Sequence, residues 1–148
     1  YFLTGNISFK KSLFEANNGF DVDFQGYGWE DLEMGYRLFS QNIPHYYLKD
    51  AINYHYHVVE GFQGVDREYH KGVSAAIFLK KHPELKWFLG YHPLSRAVKA
   101  LVKEEGVVYR FFSKFCCGSS SKFLQNFGYW FLGEYHYQKG LQAKLAEG

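Results

Sequence analysis

Hydrophobic positions along the chain change period several times, and each change predicts an element. Tyr1 to Phe9 is apolar and strand-like, with Gly5 and Asn6 near its end where backbone can be approached closely. Lys10 to Asn17 has a helical pattern that stops at Asn18 and Gly19. From Glu30 the spacing of Leu32, Tyr36 and Phe39 places them on one helix face, and Glu33 precedes Arg37 at the i, i+4 separation that supports a helix. That helix ends near Gln41 and Asn42. Ile43 to Tyr56, rich in Ile and Tyr and broken at Pro44 and at Lys49 and Asp50, predicts two short strands.

Beyond Phe62 the period stays helical. Val65, Tyr69, Val73, Ala76 and Ile77 line one helix, which stops at His82 because Pro83 pushes the preceding residue out of the α region. Arg67, His70 and Lys71 face the loop side early in it, where they could meet phosphate, although a solvated face is their simpler use. A helix from Leu94 to about Phe115 follows, interrupted at Gly106. Leu94, Val98, Leu101, Val108, Phe112 and Phe115 form its apolar stripe, and Arg96, Lys99, Lys103, Arg110 and Lys114 its basic one. Gly118 to Ser121 is a flexible linker. The last helix starts at Lys122, carries Phe123, Phe127, Trp130, Phe131 and Tyr137, and fades into a polar tail, LQAKLAEG.

Composition narrows the function classes. With 148 residues the chain is one domain's worth, and 17 basic against 15 acidic side chains leave no bulk electrostatic case for a nucleic acid partner. Aromatic residues make up 21%, which suits sugar-stacking platforms and interfacial surfaces as well as cores. Cys116 and Cys117 are adjacent, so no disulfide framework exists, which favours a reducing compartment. No apolar run approaches the roughly 18 residues a membrane-spanning helix needs.

The candidate chemistry lies in Gly19 to Arg37, GFDVDFQGYGWEDLEMGYR. Gly26 and Gly28 permit turns that a Cβ would resist, and Tyr27 and Trp29 set flat apolar surface beside Glu30 and Asp31. Acids at a helix start also complement the macrodipole, which is their simpler use. A second group is His55 and His57. In a strand, positions i and i+2 share a face, so both imidazoles can approach one metal ion, although metal sites usually need a third or fourth ligand.

Three ordered segments, Gly5-Asn6 with Ser8, then Gly19-Phe20-Asp21 with Phe24, then Gly28 to Arg37 in the pattern G-W-E-D-x-E-x-x-x-R, resemble the acceptor side of GT-A type nucleotide-sugar glycosyltransferases. The resemblance is to family 2 and to the related C-terminal module of the galactosyltransferases, and it covers about residues 1 to 60. It implies an α/β fold: the C-terminal part of a GT-A fold, a few strands with flanking helices, followed by a helical extension over 61–148. It also implies that Asp31 is the general base on the acceptor hydroxyl and that Glu30 holds the acceptor, together with Trp29, Gly28 and Asn6. His55, 25 residues beyond Glu30, corresponds to the histidine that completes a metal shell in such enzymes, with His57 as a second. The ion would be Mn2+ or Mg2+, begun by a D-x-D motif upstream of this chain. Asp21 and Asp23 also spell D-x-D, but they belong to the Gly19-Phe20-Asp21 segment, where Asp21 is expected to bond within the loop and Asp23 to be solvated.

On this resemblance the chain, which begins at Tyr1 without a methionine, is the C-terminal half of an inverting transferase in glycan or polysaccharide synthesis, inactive alone. Its partners are a nucleotide-sugar donor and a glycan or lipid-linked acceptor. The basic amphipathic stretch could make peripheral membrane contact through residues 94–137, at the cytoplasmic face or in the cytoplasm, although a packed helix with its charged side in water is its simpler use. Two other readings are a non-catalytic glycan-binding or membrane-docking module, and a metal hydrolase using His55, His57 and an acid around zinc-bound water.

Overall fold

Turn chemistry sets the first helices of the computed structural model, which describes residues 2–56, 61–102 and 106–147. Helix α1, Lys11–Ala16, ends where Asn18 and Gly19 take left-handed backbone at φ 57° and 65°. Helix α2, Glu30–Ser40, is stopped by Asn42 at φ 59°. Helix α3, Gly61–Lys81, ends at His82 ahead of Pro83, as the proline requires. Helices α4, Pro93–Leu101, and α5, Val107–Arg110, follow; α5 runs into a π-helical turn, Phe111–Cys116. Helix α6, Lys122–Ala146, closes the chain. Single 3-10 turns occupy Thr4–Asn6 and Pro83–Leu85.

The centre is the packing of α3 against α6. Gly72 and Gly140 let the two backbones meet: a Cβ on Gly72 would lie 2.0 Å from the Tyr137 carbonyl oxygen, and one on Gly140 2.1 Å from that of Tyr69. Around this crossing Ala75, Ala76, Phe78, Leu79, Leu89, Tyr137 and Leu141 are buried. The Tyr137 hydroxyl donates to the Leu89 carbonyl at 2.8 Å, and burial pushes its pKa well up. The opposite side of α3 carries α2, with Phe24, Trp29 and Tyr36 set edge-on around Phe78 at 6.2–6.3 Å. Gly140→Ala should therefore destabilise the protein by about 1–3 kcal/mol, because overpacking against backbone outweighs the ~1 kcal/mol that alanine gains in helix propensity. A melting temperature equal to the unaltered protein's would show that the helices can separate without cost.

The expected α/β architecture is overturned: among the described residues there is no strand, and the fold is helical. The apolar pattern of Tyr1 to Phe9 and of residues 43–56 calls for a neighbouring strand to accept both its buried face and its backbone groups. None is present among the described residues. Phe2 packs instead with Met34 and Leu38, and Thr4–Asn6 forms a turn. Tyr46, Tyr47, Tyr54 and Tyr56 stand 82–91% exposed. Side chains tie these segments together where a ladder would have used main chain: Asn6 Nδ2 donates to Ala51 O and Asn53 Nδ2 to Gly5 O, both at 2.7 Å.

Three helix readings also change. The buried face of α2 is Glu33, Met34 and Leu38, while Phe39 is exposed and Leu32 and Tyr36 line an apolar groove. The long helix from Leu94 divides, since Val102 is extended and buried before α5 begins. Finally, the LQAKLAEG tail is helical as far as Ala146 and its Leu141 is fully buried. Both cysteines are free and buried, and burial raises the Cys117 thiol above its usual value.

Candidate functional site

The loop before α2 is held from below by α3. Ser74 Oγ donates to the Tyr27 carbonyl at 3.3 Å, the Arg67 guanidinium lies over the Tyr27 ring at 5.3 Å, and the Lys71 stem packs against Gly28. Arg67 and Lys71 are thus supports of the loop, not a solvated face; Lys71 also pairs with Glu68 at 2.6 Å. Gly28 has φ 92° and Trp29 φ 76°. Left-handed backbone at a bulky residue is strained and persists only where the surroundings hold it. Here Phe78 and Phe88 clamp the Trp29 ring at 6.2 and 5.9 Å.

The strained turn delivers the acids to the start of α2. Asp31 is half-buried: its Oδ1 accepts from the Leu32 N–H at 2.8 Å, and its Oδ2 from the Thr4 N–H at 3.4 Å. In the two residues before it, Trp29 Nε1 and Glu30 Oε2 are buried with no hydrogen-bond partner among the described residues. Leaving such atoms unpaired costs about 1–3 kcal/mol each, so they are candidate contacts for a polar group.

The rest of the motif is structural. Glu33 is 1% exposed, and Arg37 Nε donates to both its oxygens at 2.8 and 2.9 Å. The other guanidinium nitrogens of Arg37 donate to the carbonyls of Asn17 and Gly19, at 2.6 and 2.7 Å, fastening the end of α1 to α2. His82 Nε2 lies 3.3 Å from the same Glu33. Asp21 bonds within its loop as expected, accepting from the Asp23 N–H at 3.0 Å. Yet Asp23 is not merely solvated: it and Asp21 together grip Lys81 at the end of α3, with the Asp23 contact at 2.6 Å. Burial works to raise the Asp21 carboxyl, but Lys81, the Asp23 N–H and the Arg37 charge hold it below the usual value.

Asn6 and Asp31 meet opposite ends of the Thr4–Asn6 turn, Asp31 through the Thr4 N–H and Asn6 through Ala51. His55 is exposed, two residues beyond Asn53, which is bonded to the same turn. His57 lies outside the described residues. No three His, Cys, Asp or Glu side chains converge as a cation site among the described residues, so His55 does not make a metal shell with them.

The family described as the N-terminal domain of galactosyltransferase matches residues 1–61. The chain carries a glycosyltransferase segment. The description of that family names the N-terminal domain of galactosyltransferase, where the motif resemblance is to the C-terminal module. Relatives of the glycosyltransferase segment agree in kind. A chondroitin synthase of Pasteurella multocida is 32% identical over 83 residues, 56% of this chain and 9% of that protein. A validoxylamine A glucosyltransferase of Streptomyces hygroscopicus is 31% identical over 110 residues, 71% of this chain and 24% of that protein. A hyaluronan synthase of Pasteurella multocida is 31% identical over 83 residues, 56% of this chain and 8% of that protein. The chain therefore spans less than a quarter of the length of these relatives. No solved structure matches it significantly.

Within the glycosyltransferase segment, the sequence pattern identified the carboxylates and their helix. It did not indicate Thr4 as a partner of Asp31 or Ser74 as a loop support, and it set Arg67 and Lys71 on the loop side without showing that they hold Tyr27 and Gly28. The backbone N–H of Thr4 leaves no trace in residue identity, and the supports come from a helix more than 30 residues away. Among the described residues no helix is long and apolar enough to cross a membrane.

Proposed function

We propose that the chain supplies the acceptor side of an inverting glycosyltransferase that moves a sugar from a nucleoside diphosphate donor to a hydroxyl of a glycan acceptor. The observation that carries this reading is the carboxylate pair at the head of α2. Asp31 is oriented by two backbone N–H groups, and the two residues before it carry buried polar atoms, Trp29 Nε1 and Glu30 Oε2, that have no partner among the described residues. A sugar offers both: hydroxyl oxygens to accept from the indole N–H, and hydroxyl protons for the carboxylates.

In the reaction, the acceptor oxygen attacks the anomeric carbon while Asp31 takes its proton. The bond from that carbon to the diphosphate oxygen breaks, and the nucleoside diphosphate leaves with the bonding pair. Glu30 and Trp29 hold the acceptor so that one hydroxyl faces Asp31. The Gly28 and Trp29 turn fixes that geometry, and Asn6 steadies the turn bearing Thr4. The test is Asp31→Asn in the native protein, scored for turnover and for acceptor binding separately.

His55 is the proposed protein ligand for Mn2+ or Mg2+, an ion that would neutralise the departing diphosphate. Its support is position, on a segment bonded to the Thr4–Asn6 turn. His55→Ala should raise the Mn2+ concentration for half-maximal activity at least about tenfold, since even the partners of metal ligands are worth that much. An unchanged metal requirement would remove His55 from the site.

A further inference from the structure

A cleft of about 540 Å3 opens beside Trp29, walled by the first half of α3, the connection through Phe88 to Gly90, and α6. Its size falls in the range of small-ligand sites. We propose that it is a saccharide subsite that takes neutral sugar rings of the acceptor and rejects anionic ones; this rests on the transferase reading above and extends it to substrate class.

The walls have the two chemistries a pyranose needs. Trp29, Phe88, Tyr129 and Trp130 offer ring faces for its C–H surfaces, and Glu68 and Glu134 offer carboxylate oxygens for its hydroxyls. The rings at the mouth are open and held in place. Trp130 is 61% exposed and stacked on Phe127 at 5.7 Å, and Phe88 is 52% exposed and set edge-on to Trp29. The carboxylates are fixed as well. Glu134 Oε1 accepts from Gln138 Nε2 at 3.1 Å, and that amide also donates to the Gly90 carbonyl. Gln138 is fully buried, and its Oε1 has no partner among the described residues.

Charge selects the occupant. Glu68 is neutralised by Lys71 at 2.6 Å, which leaves Glu134, whose described partner is the neutral Gln138 amide, to repel a uronate; no Lys or Arg lines the cleft among the described residues. A purely apolar ligand would desolvate both carboxylates and return no hydrogen bond. Trp29 lines the cleft and directly precedes Glu30 and Asp31 in the chain, which ties the cleft to the head of α2.

The experiment is binding of chitotetraose, a neutral probe, and tetragalacturonate, an anionic one, to the native protein, followed by tryptophan fluorescence and saturation-transfer NMR. Chitotetraose should bind at least about tenfold more tightly than tetragalacturonate, and Trp130→Ala should weaken it about tenfold, as truncation of an aromatic anchor does. Glu134→Gln, which keeps the shape, should narrow the gap between the probes. Equal binding of the two probes, no binding of chitotetraose, or full affinity in Trp130→Ala would overturn the proposal. Asp31→Asn should leave these affinities unchanged. If it also keeps turnover, the base assignment falls while the cleft stands.

Discussion

Asp31→Asn lowers turnover by about 10²- to 10⁴-fold, the range that a positioned general base contributes, and leaves acceptor affinity and melting temperature close to their original values. The substitution preserves shape and removes only the basic oxygen. Asn Oδ1 can keep the 2.8 Å bond from the Leu32 N–H, which sets the amide group toward the Thr4 N–H, the longer and weaker contact at 3.4 Å. The cost in stability is therefore the loss of one marginal hydrogen bond. Asp31→Ala is a poorer test, because it leaves both N–H groups unpaired and mixes a folding effect with a chemical one. Initial rates at saturating acceptor, with circular dichroism as the control for folding, separate the two. A normal rate in a folded Asp31→Asn protein would exclude Asp31 as the base.

Arg37→Met should be the most destabilising single change away from the core crossing, by about 3–5 kcal/mol, the cost of breaking a buried ion pair by removing one partner. Glu33 is 1% exposed and both its oxygens accept from Arg37, so the variant buries a carboxylate whose remaining neighbour is His82. The carbonyls of Asn17 and Gly19 lose their donors at the same time. Chemical denaturation should show a lower midpoint with little change in slope. Adding Glu33→Gln to Arg37→Met should recover part of the loss by removing the uncompensated charge, while the two carbonyls stay unpaired. A drop below about 1 kcal/mol would mean that the pair behaves as a surface salt bridge. Asp31 and Arg37 sit on one short helix, yet the first change acts on chemistry and the second on stability.

The difference between those residues was partly legible in advance. The i, i+4 spacing of Glu33 and Arg37 announced a pair, but as an exposed helix support of a few tenths of a kcal/mol. Spacing does not show that α1 covers this face and turns the pair into a buried clasp. The Asp21-Val22-Asp23 run behaves likewise. Its place after Gly19 and Phe20 argued against metal binding, and the loop bond of Asp21 followed, whereas its hold on Lys81 needed the end of α3 to arrive there. The sheet expectation failed for a related reason. A stretch rich in Ile and Tyr describes an extended chain, but a strand exists only when another strand takes up its N–H and C=O groups, and among the described residues the Asn6 and Asn53 side chains reach only the carbonyls of Ala51 and Gly5.

By itself, then, the sequence determined the helix ends at Asn18, Asn42 and His82, the lack of a disulfide framework in a chain whose two cysteines are adjacent, and the ordered motifs that carry the glycosyltransferase segment. Those depend on backbone sterics and on residues near in the chain. Only the tertiary structure decided that Arg37 is a clasp, that Gly72 and Gly140 are the crossing point of α3 and α6, and that Trp29, Phe88, Trp130 and Glu134 face one cleft. Each of these depends on which surfaces meet across long separations, and the energies involved, burial of charge and contact between backbones, do not exist until they do.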